Sequence, residues 1–451
     1  MRATSIGHAG IYIETRQGTI LCDPWFNPAF FGSWFVFPRN DRLPHPLSEE
    51  ILHPSYLYIS HLHGDHFDER WLSENIPRHT PVLLPDYPTN ELERRLRALG
   101  FDEFIRTTDG EELDLGDGLT IAIHVETSIT DGPGGDSALV VSDGTHRIVD
   151  QNDCRPHDVE ALRSHGPVDQ HWLQFSGAIW YPMVYDNSPE EMRRQLDVKV
   201  ESQFTRALRY VEALDARAVV PSAGPPCFLD PDLFGFNMID GDEVSIFPDQ
   251  TAFLRRLEAT GRHGIMNIPG TMIECGTTIS PSHPMSDDEV RAIFTDKRRY
   301  LEQYQADYLP FLRDLKESWP RPAPDLVGRL RAWWEPLMTL APTLCDAIGA
   351  ACVLRAGDVD VLIDFPNRRV REHDGEEHAD HDAGRDRAPP RARGRHGVRR
   401  RDRRRRHDGP VDRVLPARPR SVVPRRRDRA RGRGLRRVGP QRRLVLRRAA
   451  R

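Results

Sequence analysis

Ser60-His61-Leu62-His63-Gly64-Asp65-His66 follows directly on Tyr56-Leu57-Tyr58-Ile59, a short run of β-forming residues. Two histidines one residue apart at a strand end can turn both imidazoles toward one cation. Asp65 and His66, on the turn that follows, can face a second position a few Å away. Gly64 is expected to let the chain bend between the two pairs. Imidazole and carboxylate donors suit zinc, as one ion or two, with iron as the alternative. Isolated histidines are usually structural or solvated, but four potential ligands in six residues after a strand point to a metal site.

Outward from this stretch, the text from Thr4 to Pro24 alternates short β-type runs, Ile11-Tyr12-Ile13 and Ile20-Leu21, around a turn at Gln17-Gly18. Further strands are expected at Ser55 to Ser60, Pro81 to Leu84, Leu119 to His124, Ser137 to Val141, His146 to Val149, Asp169 to Phe175 and Ala218 to Pro221. Helices are expected at Glu69 to Asn75, Asn90 to Leu99 and Asp158 to Arg163. Ser188-Pro189-Glu190-Glu191 reads as a capping box with proline at the first helical position, opening a helix to about Ala213. Strands too often adjacent for simple βαβ repeats predict an α+β sandwich of two sheets with helices outside.

The H-x-H-x-D-H segment resembles the signature of the metallo-β-lactamase superfamily. Gly7-His8-Ala9-Gly10-Ile11-Tyr12-Ile13-Glu14 and Leu21-Cys22-Asp23-Pro24-Trp25 are similar to that superfamily's first strands. The resemblance covers roughly residues 4–275 and implies an αββα sandwich with its site at one edge of the sheets. It also implies a middle histidine, for which His124 at the end of a strand is the candidate, and a bridging carboxylate, for which Asp153 is. The last histidine of the pattern has no counterpart in Val219-Val220-Pro221-Ser222-Ala223-Gly224, so the second metal site is either incomplete or completed by His171 from the Asp169 to Phe175 strand. His8 could approach from the first hairpin, although a packing role is expected for it. The metal ligands implied are thus His61, His63, Asp65, His66, Asp153 and His124.

Leu173-Gln174-Phe175-Ser176-Gly177, the helix after Ser188, Val219 to Gly224 and Val361-Leu362-Ile363-Asp364-Phe365 are similar to the CMP-N-acetylneuraminate hydroxylase group. That group joins such a domain to a Rieske iron–sulfur domain, and the resemblance implies oxygenation of a sugar nucleotide with electrons from a redox partner. The six cysteines here show no C-x-x-C or C-x-H spacing, so this chain offers no cysteine zinc site or Rieske pair. The superfamily resemblance implies first a metal-dependent hydrolase acting on an ester, amide or phosphodiester of a small molecule, with catalytic Asp65 ligating or orienting a metal-activated water. Gln174 to Pro182 and Phe30-Phe31-Gly32-Ser33-Trp34-Phe35 are expected either to wall the substrate site or to serve as ordinary core aromatics.

The net charge of −5 conceals two unlike parts, since Arg391 to Arg451 holds 26 arginines against four acidic residues. The body is therefore strongly acidic and argues against a nucleic-acid surface on the folded part. After Phe365 no aromatic residue, isoleucine, methionine or lysine occurs. The tail reads either as a basic arm for nucleic acid, which would make a non-catalytic binding protein conceivable, or as a GC-rich gene read out of frame, which its composition favours; it is disordered in both cases. The expected organisation is a metallo-β-lactamase-like domain over 1–280, a helical extension with a short terminal β segment over 281–367, and an Arg-rich tail over 368–451. No basic start leads into an apolar run and no stretch is long and apolar enough to span a membrane, so a cytoplasmic protein is expected.

Overall fold

The computed structural model describes residues 1–373 apart from 128–133, 178, 186, 240–244, 320–324 and 357. They fall into two units, Met1–Leu326 and the part from Val327 onward.

In the first unit, eight strands form one sheet: β1 (Arg2–Gly7), β2 (Gly10–Glu14), β3 (Thr19–Cys22), β4 (Tyr56–Tyr58), β5 (Val82–Leu84), β6 (Phe104–Arg106) and, later in the chain, Met272–Glu274 and Pro281–Ser282 on the outer side of β1. The second sheet holds six strands: β7 (Leu113–Gly116), β8 (Leu119–Glu126), β9 (Asp136–Ser142), β10 (Arg147–Asn152), β11 (Gln170–Gln174) and β12 (Ala218–Ser222), in the order β12-β11-β10-β9-β8-β7.

Period-two alternation explains how both faces of each sheet are buried. On β2, Ile11 and Ile13 enter the layer between the sheets, where they meet Ile121, Ile123, Leu139, Val141, Ile148 and Trp172. Tyr12, between them, turns outward with Leu21 and Leu57 onto helices that supply Trp71, Leu72, Leu92 and Leu96. The far face of the second sheet is covered by the long helix Pro189–Leu214, whose Phe204, Ala207 and Val211 pack with Leu173 and Val219. The expected αββα sandwich is the fold observed.

The first unit extends past residue 280. Ser286 opens the helix Asp287–Thr295 with a capping box to Glu289, and Lys297–Glu317 follows. Tyr304 and Leu301 pack with Phe35 and Leu229, and Val290 and Ile293 pack with Ile268. Arg39 reaches across to Asp307 at 2.6 Å. Tyr300, Tyr304 and Tyr308, at helical spacing, form the face by which these helices join the sandwich.

In the second unit the helices Leu326–Leu340 and Pro342–Ile348 precede an antiparallel sheet of Ala351–Ala356, Val359–Asp364 and Arg369–Glu372. The third strand lies where the sequence suggested the tail had begun. Only Val370 of it is buried, too little to produce a readable pattern, and its backbone is held by Glu335 and Arg331. The Arg-rich segment from 374 on, with its disorder, frameshift and nucleic-acid readings, lies outside the described residues. Among the described residues no helix is long and apolar enough to cross a membrane.

Candidate metal centre

β4 delivers the chain to Ser60 at one end of the first sheet, and the loop that follows is locked to β3 from beneath. Asp23 accepts the Ser60 backbone amide at 2.7 Å and its hydroxyl at 2.5 Å, while the Tyr87 hydroxyl donates to the Ser60 carbonyl. His61 and His66 emerge on either side of this knot, at 1% and 0% exposure. Gly64 is not what bends the loop: its φ is ordinary and an added Cβ would sit 3.6 Å from that of Ala29. The strained backbone lies elsewhere, at His8, Asp23 and Asn152, all with φ between 40° and 53° at strand ends around the cluster.

Two ligand groups form within the cluster. His8, Asp65 and His66 offer ligand atoms within 4.8 Å of one another, as do His61, His63 and Asp153. His61 Nε2 lies 2.7 Å from His63 Nδ1, and His8 Nε2 lies 3.1 Å from Asp65 Oδ2. The groups meet where His66 Nε2 stands 3.5 Å from Asp153 Oδ1.

Both buried histidines are oriented from behind by a carboxylate. His66 Nδ1 is 2.8 Å from Asp23 Oδ2, and His61 Nδ1 is 3.2 Å from Asp136 Oδ1. Each Nδ1–H is thereby occupied, which leaves the Nε2 lone pairs facing the cluster, the arrangement by which carboxylates fix the tautomer of metal-binding histidines. The residues also pass a stricter test of fit. Asp65 Oδ1, His66 Nε2 and Asp153 Oδ1 are buried without any hydrogen-bond partner. Unsatisfied buried polar atoms drawn from both groups, and converging there, are what a bound cation would satisfy.

The electrostatics follow from this crowding. Burial opposes a charge on His66, but Asp153 and Asp23 outweigh it and push its pKa well above the usual imidazole value. Burial likewise opposes the charge on Asp153, yet His66 and His61 hold its pKa below the ordinary carboxylate range. His63 has less support, and burial together with His61 lowers its pKa. Burial raises Asp136. Beneath the site, Asp150 is fully buried, and burial and Asp23 push its pKa well above the ordinary carboxylate range.

Of the residues expected from the sequence, His61, His63, Asp65, His66 and Asp153 come together. His124 does not. On β8 the neighbouring Ile121 and Ile123 point between the sheets, so His124, of opposite parity, points out with Ala122. Its Nε2 meets His165 Nε2 at 2.8 Å instead. His171 is also elsewhere: it is fully buried, bonded to Gln151 at 2.9 Å, and burial pushes its pKa down to about 3. The residues that join without having been expected as ligands or orienters are His8, Asp23 and Asp136. His8 sits on the β1–β2 turn with its ring 4.9 Å from Trp25, and so combines the packing role expected of it with a place in the cluster. Asp136 opens β9 after a glycine-rich loop, a position with no local signal of its partner.

The aromatic loops supply much of a core cluster. Trp34, Trp180, Phe228 and Phe247 form a core cluster with Trp25, whereas Phe31 is 95% exposed.

Residues 326–387 match the family described as the Rv3818-like, SCP2-like domain. The chain is 44% identical over 390 residues to a protein of Mycolicibacterium smegmatis provisionally named a Rieske 2Fe-2S iron-sulfur protein, covering 82% of this chain and 73% of that one. It is 25% identical over 235 residues to the cytidine monophosphate-N-acetylneuraminic acid hydroxylase of Danio rerio, covering 49% of this chain and 37% of the hydroxylase. Among solved structures, the metallo hydrolase Igni18 of Ignicoccus hospitalis aligns over 61% of this chain and 99% of its own, at 16% identity and a TM-score of 0.42. The extent of the mycobacterial match places this chain in the same family as that iron–sulfur-named protein, and its first unit is an αββα sandwich carrying His and Asp side chains that could hold a metal ion.

Proposed function

We propose that the cluster is a two-cation catalytic centre and that the protein oxygenates a small molecule, with iron at these ligands and electrons supplied by a redox partner. The observation that carries the two-cation reading is the junction of the two ligand groups at His66 Nε2 and Asp153 Oδ1, with an orphaned acceptor on each side. Carboxylates stand beside imidazoles in both groups, a donor set suited to iron as well as zinc. The choice of oxygenation is supported by membership of a family whose mycobacterial member carries an iron–sulfur name, and by the distant similarity to a hydroxylase.

Cations bound here would supply Lewis-acid activation and, if they are iron, the redox chemistry of dioxygen. The chain's own residues do the rest. Asp23 and Asp136 hold His66 and His61 in the required tautomer. Trp25, fully buried against His8, keeps water from that flank. His8 Nε2 and Asp65 Oδ2, 3.1 Å apart, stand together in one ligand group, and Asp65 keeps its second oxygen, Oδ1, without a hydrogen-bond partner.

That last pair also favours a second reading, a zinc-dependent hydrolase in which Asp65 accepts the proton of an attacking water and the substrate is an ester, amide or phosphodiester. One set of measurements separates the two. The purified full-length protein is analysed for metal, then assayed for substrate-independent dioxygen consumption with a chemical reductant, and for turnover of ester and phosphodiester panels. Iron content with reductant-dependent dioxygen uptake supports oxygenation. A zinc-only protein inert to reductant but active on the panel establishes hydrolysis in its place.

A further inference from the structure

The body of this chain is acidic, yet one flank of the metal cluster carries cations that form no ion pair among the described residues. Lys199, Gln203, Arg206 and Tyr210 follow one another along the long helix at spacings of three and four, which puts them on one face. That face meets two loops of the site. Lys199 Nζ lies 5.9 Å from the Tyr181 ring centroid, and Tyr181 donates to Gln195 at 2.6 Å, so the aromatic loop after β11 rests on the helix. Gly177 of the same loop passes so close that an added Cβ would lie 1.9 Å from Gln203 Nε2. Arg155 comes from the loop that carries Asp153.

The grouping is electrostatically unfavourable as it stands. Burial, Arg155 and Arg209 all act against the charge of Arg206, and burial, Arg206 and Arg155 act against that of Lys199. Asp153 favours the Arg206 charge through space, but that carboxylate belongs to the metal cluster. Glu201, on the same helix, is taken by Arg256. Among the described residues none of Lys199, Arg206 and Arg155 has an ion pair. Gln203, only 3% exposed, adds a buried Oε1 without a hydrogen-bond partner. Like charges gathered on a partly buried face, next to a polar group left unsatisfied, mark a place prepared for something absent.

We propose that Lys199, Gln203 and Arg206 of the long helix, with Arg155, form the recognition site for an anionic group, phosphoryl or carboxylate, of the substrate that reacts at the metal centre. The inference rests on the reading of the cluster as a catalytic centre and names the class of molecule it acts on. Two guanidinium forks provide paired N–H donors for planar or tetrahedral oxyanions. Lys199 adds a point charge, and the Gln203 amide takes a protonated or hydroxyl oxygen.

The test is calorimetric titration of the metal-containing full-length protein with inorganic phosphate and, separately, acetate. Metal content is measured on every preparation, and thermal unfolding is recorded to confirm folding. The wild type is expected to bind at least one anion, more weakly as ionic strength rises. Arg206→Gln and Arg155→Gln should each weaken binding about tenfold, a single lost charge-assisted contact, with metal content unchanged. Arg155 is exposed, so its variant remains informative if the Arg206 variant fails to fold. Arg94→Gln, an exposed arginine paired with Glu91 on another helix, should bind as the wild type does. Preference for phosphate identifies a phosphoryl group, and equal or better binding of acetate a carboxylate. Wild-type affinity in the Arg155 and Arg206 variants, or no binding of either anion by the wild type, overturns the proposal. Loss of metal from His63→Ala with anion binding retained bears only on the catalytic reading, so the two can fail separately.

Discussion

Asp23 holds His66 by its Nδ1 at 2.8 Å, and neither side chain has any exposed surface. Through the same carboxylate Asp23 also fixes the Ser60 amide and hydroxyl, so one residue just after β3 sets both the entry of the ligand loop and the direction of a ligand. Asp23→Asn keeps the shape but loses the anionic acceptor. Metal affinity is expected to fall about 10- to 100-fold, read by competition with a chromophoric chelator. Unchanged affinity would mean that the tautomer of His66 is set by something else.

Two separate ligand groups predict two equivalents of metal. His8→Ala and His63→Ala each remove a ligand from a different group, and each is expected to retain about one equivalent, because a site stripped of one of three ligands binds far more weakly. Elemental analysis after dialysis decides this. If the wild type saturates at a single equivalent that His63→Ala abolishes and His8→Ala leaves intact, the centre is mononuclear.

The raised pKa of His66 makes metal binding dependent on pH. In the metal-free protein Asp153 and Asp23 outweigh burial and favour the protonated ring. A cation must displace that proton, so binding releases protons and weakens as pH falls. The folding contribution has the opposite sense. A histidine whose folded pKa is raised stabilises the metal-free protein fully below its unfolded value of about 6.5, and this is lost as pH rises through the elevated folded value. Titration in a weak indicator buffer and urea melts of chelated protein at several pH values measure the two effects. A pH-independent metal affinity would contradict this account.

His124→Ala should leave metal content untouched and cost about 1 kcal/mol of stability, the worth of one hydrogen bond, since its partner is His165. Loss of metal in this variant would restore His124 to the ligand set.

Phe35→Ala tests where the first unit ends. Phe35 packs on Tyr304 and Tyr308 with ring centroids 6.1 and 5.2 Å away, and its truncation should cost about 3–5 kcal/mol. A chain ending near residue 280 would expose that cluster and is expected not to fold cooperatively, as followed by circular dichroism. A stable, metal-binding fragment of that length would put the boundary back at the end of the sandwich.

The sandwich and the core of its metal site were readable from sequence because both are local. Alternating apolar residues on β2 and β3 announce strands, and His61, His63, Asp65 and His66 lie within one loop, where spacing alone brings their donors together. Asp153 was readable only through the family resemblance and its place after a strand. His8, Asp23 and Asp136 could not be assigned their roles, because each meets its partner across the fold: His8 is 57 residues from Asp65 and Asp23 is 43 from His66. His124 shows the converse error, since position at a strand end says nothing about which face a side chain occupies until the parity of that strand against the core is known. The helices after Ser286 were legible as helices, but whether they stood apart or joined the sandwich depended on Phe35 and Phe37 waiting far upstream. By itself, then, the sequence determined secondary structure, a sandwich and a loop of four potential metal ligands, all matters of short-range pattern. The tertiary structure alone decided which distant carboxylates orient those ligands and which histidine completes them, because burial and charge pairing act between residues that only the finished fold brings within a few Å.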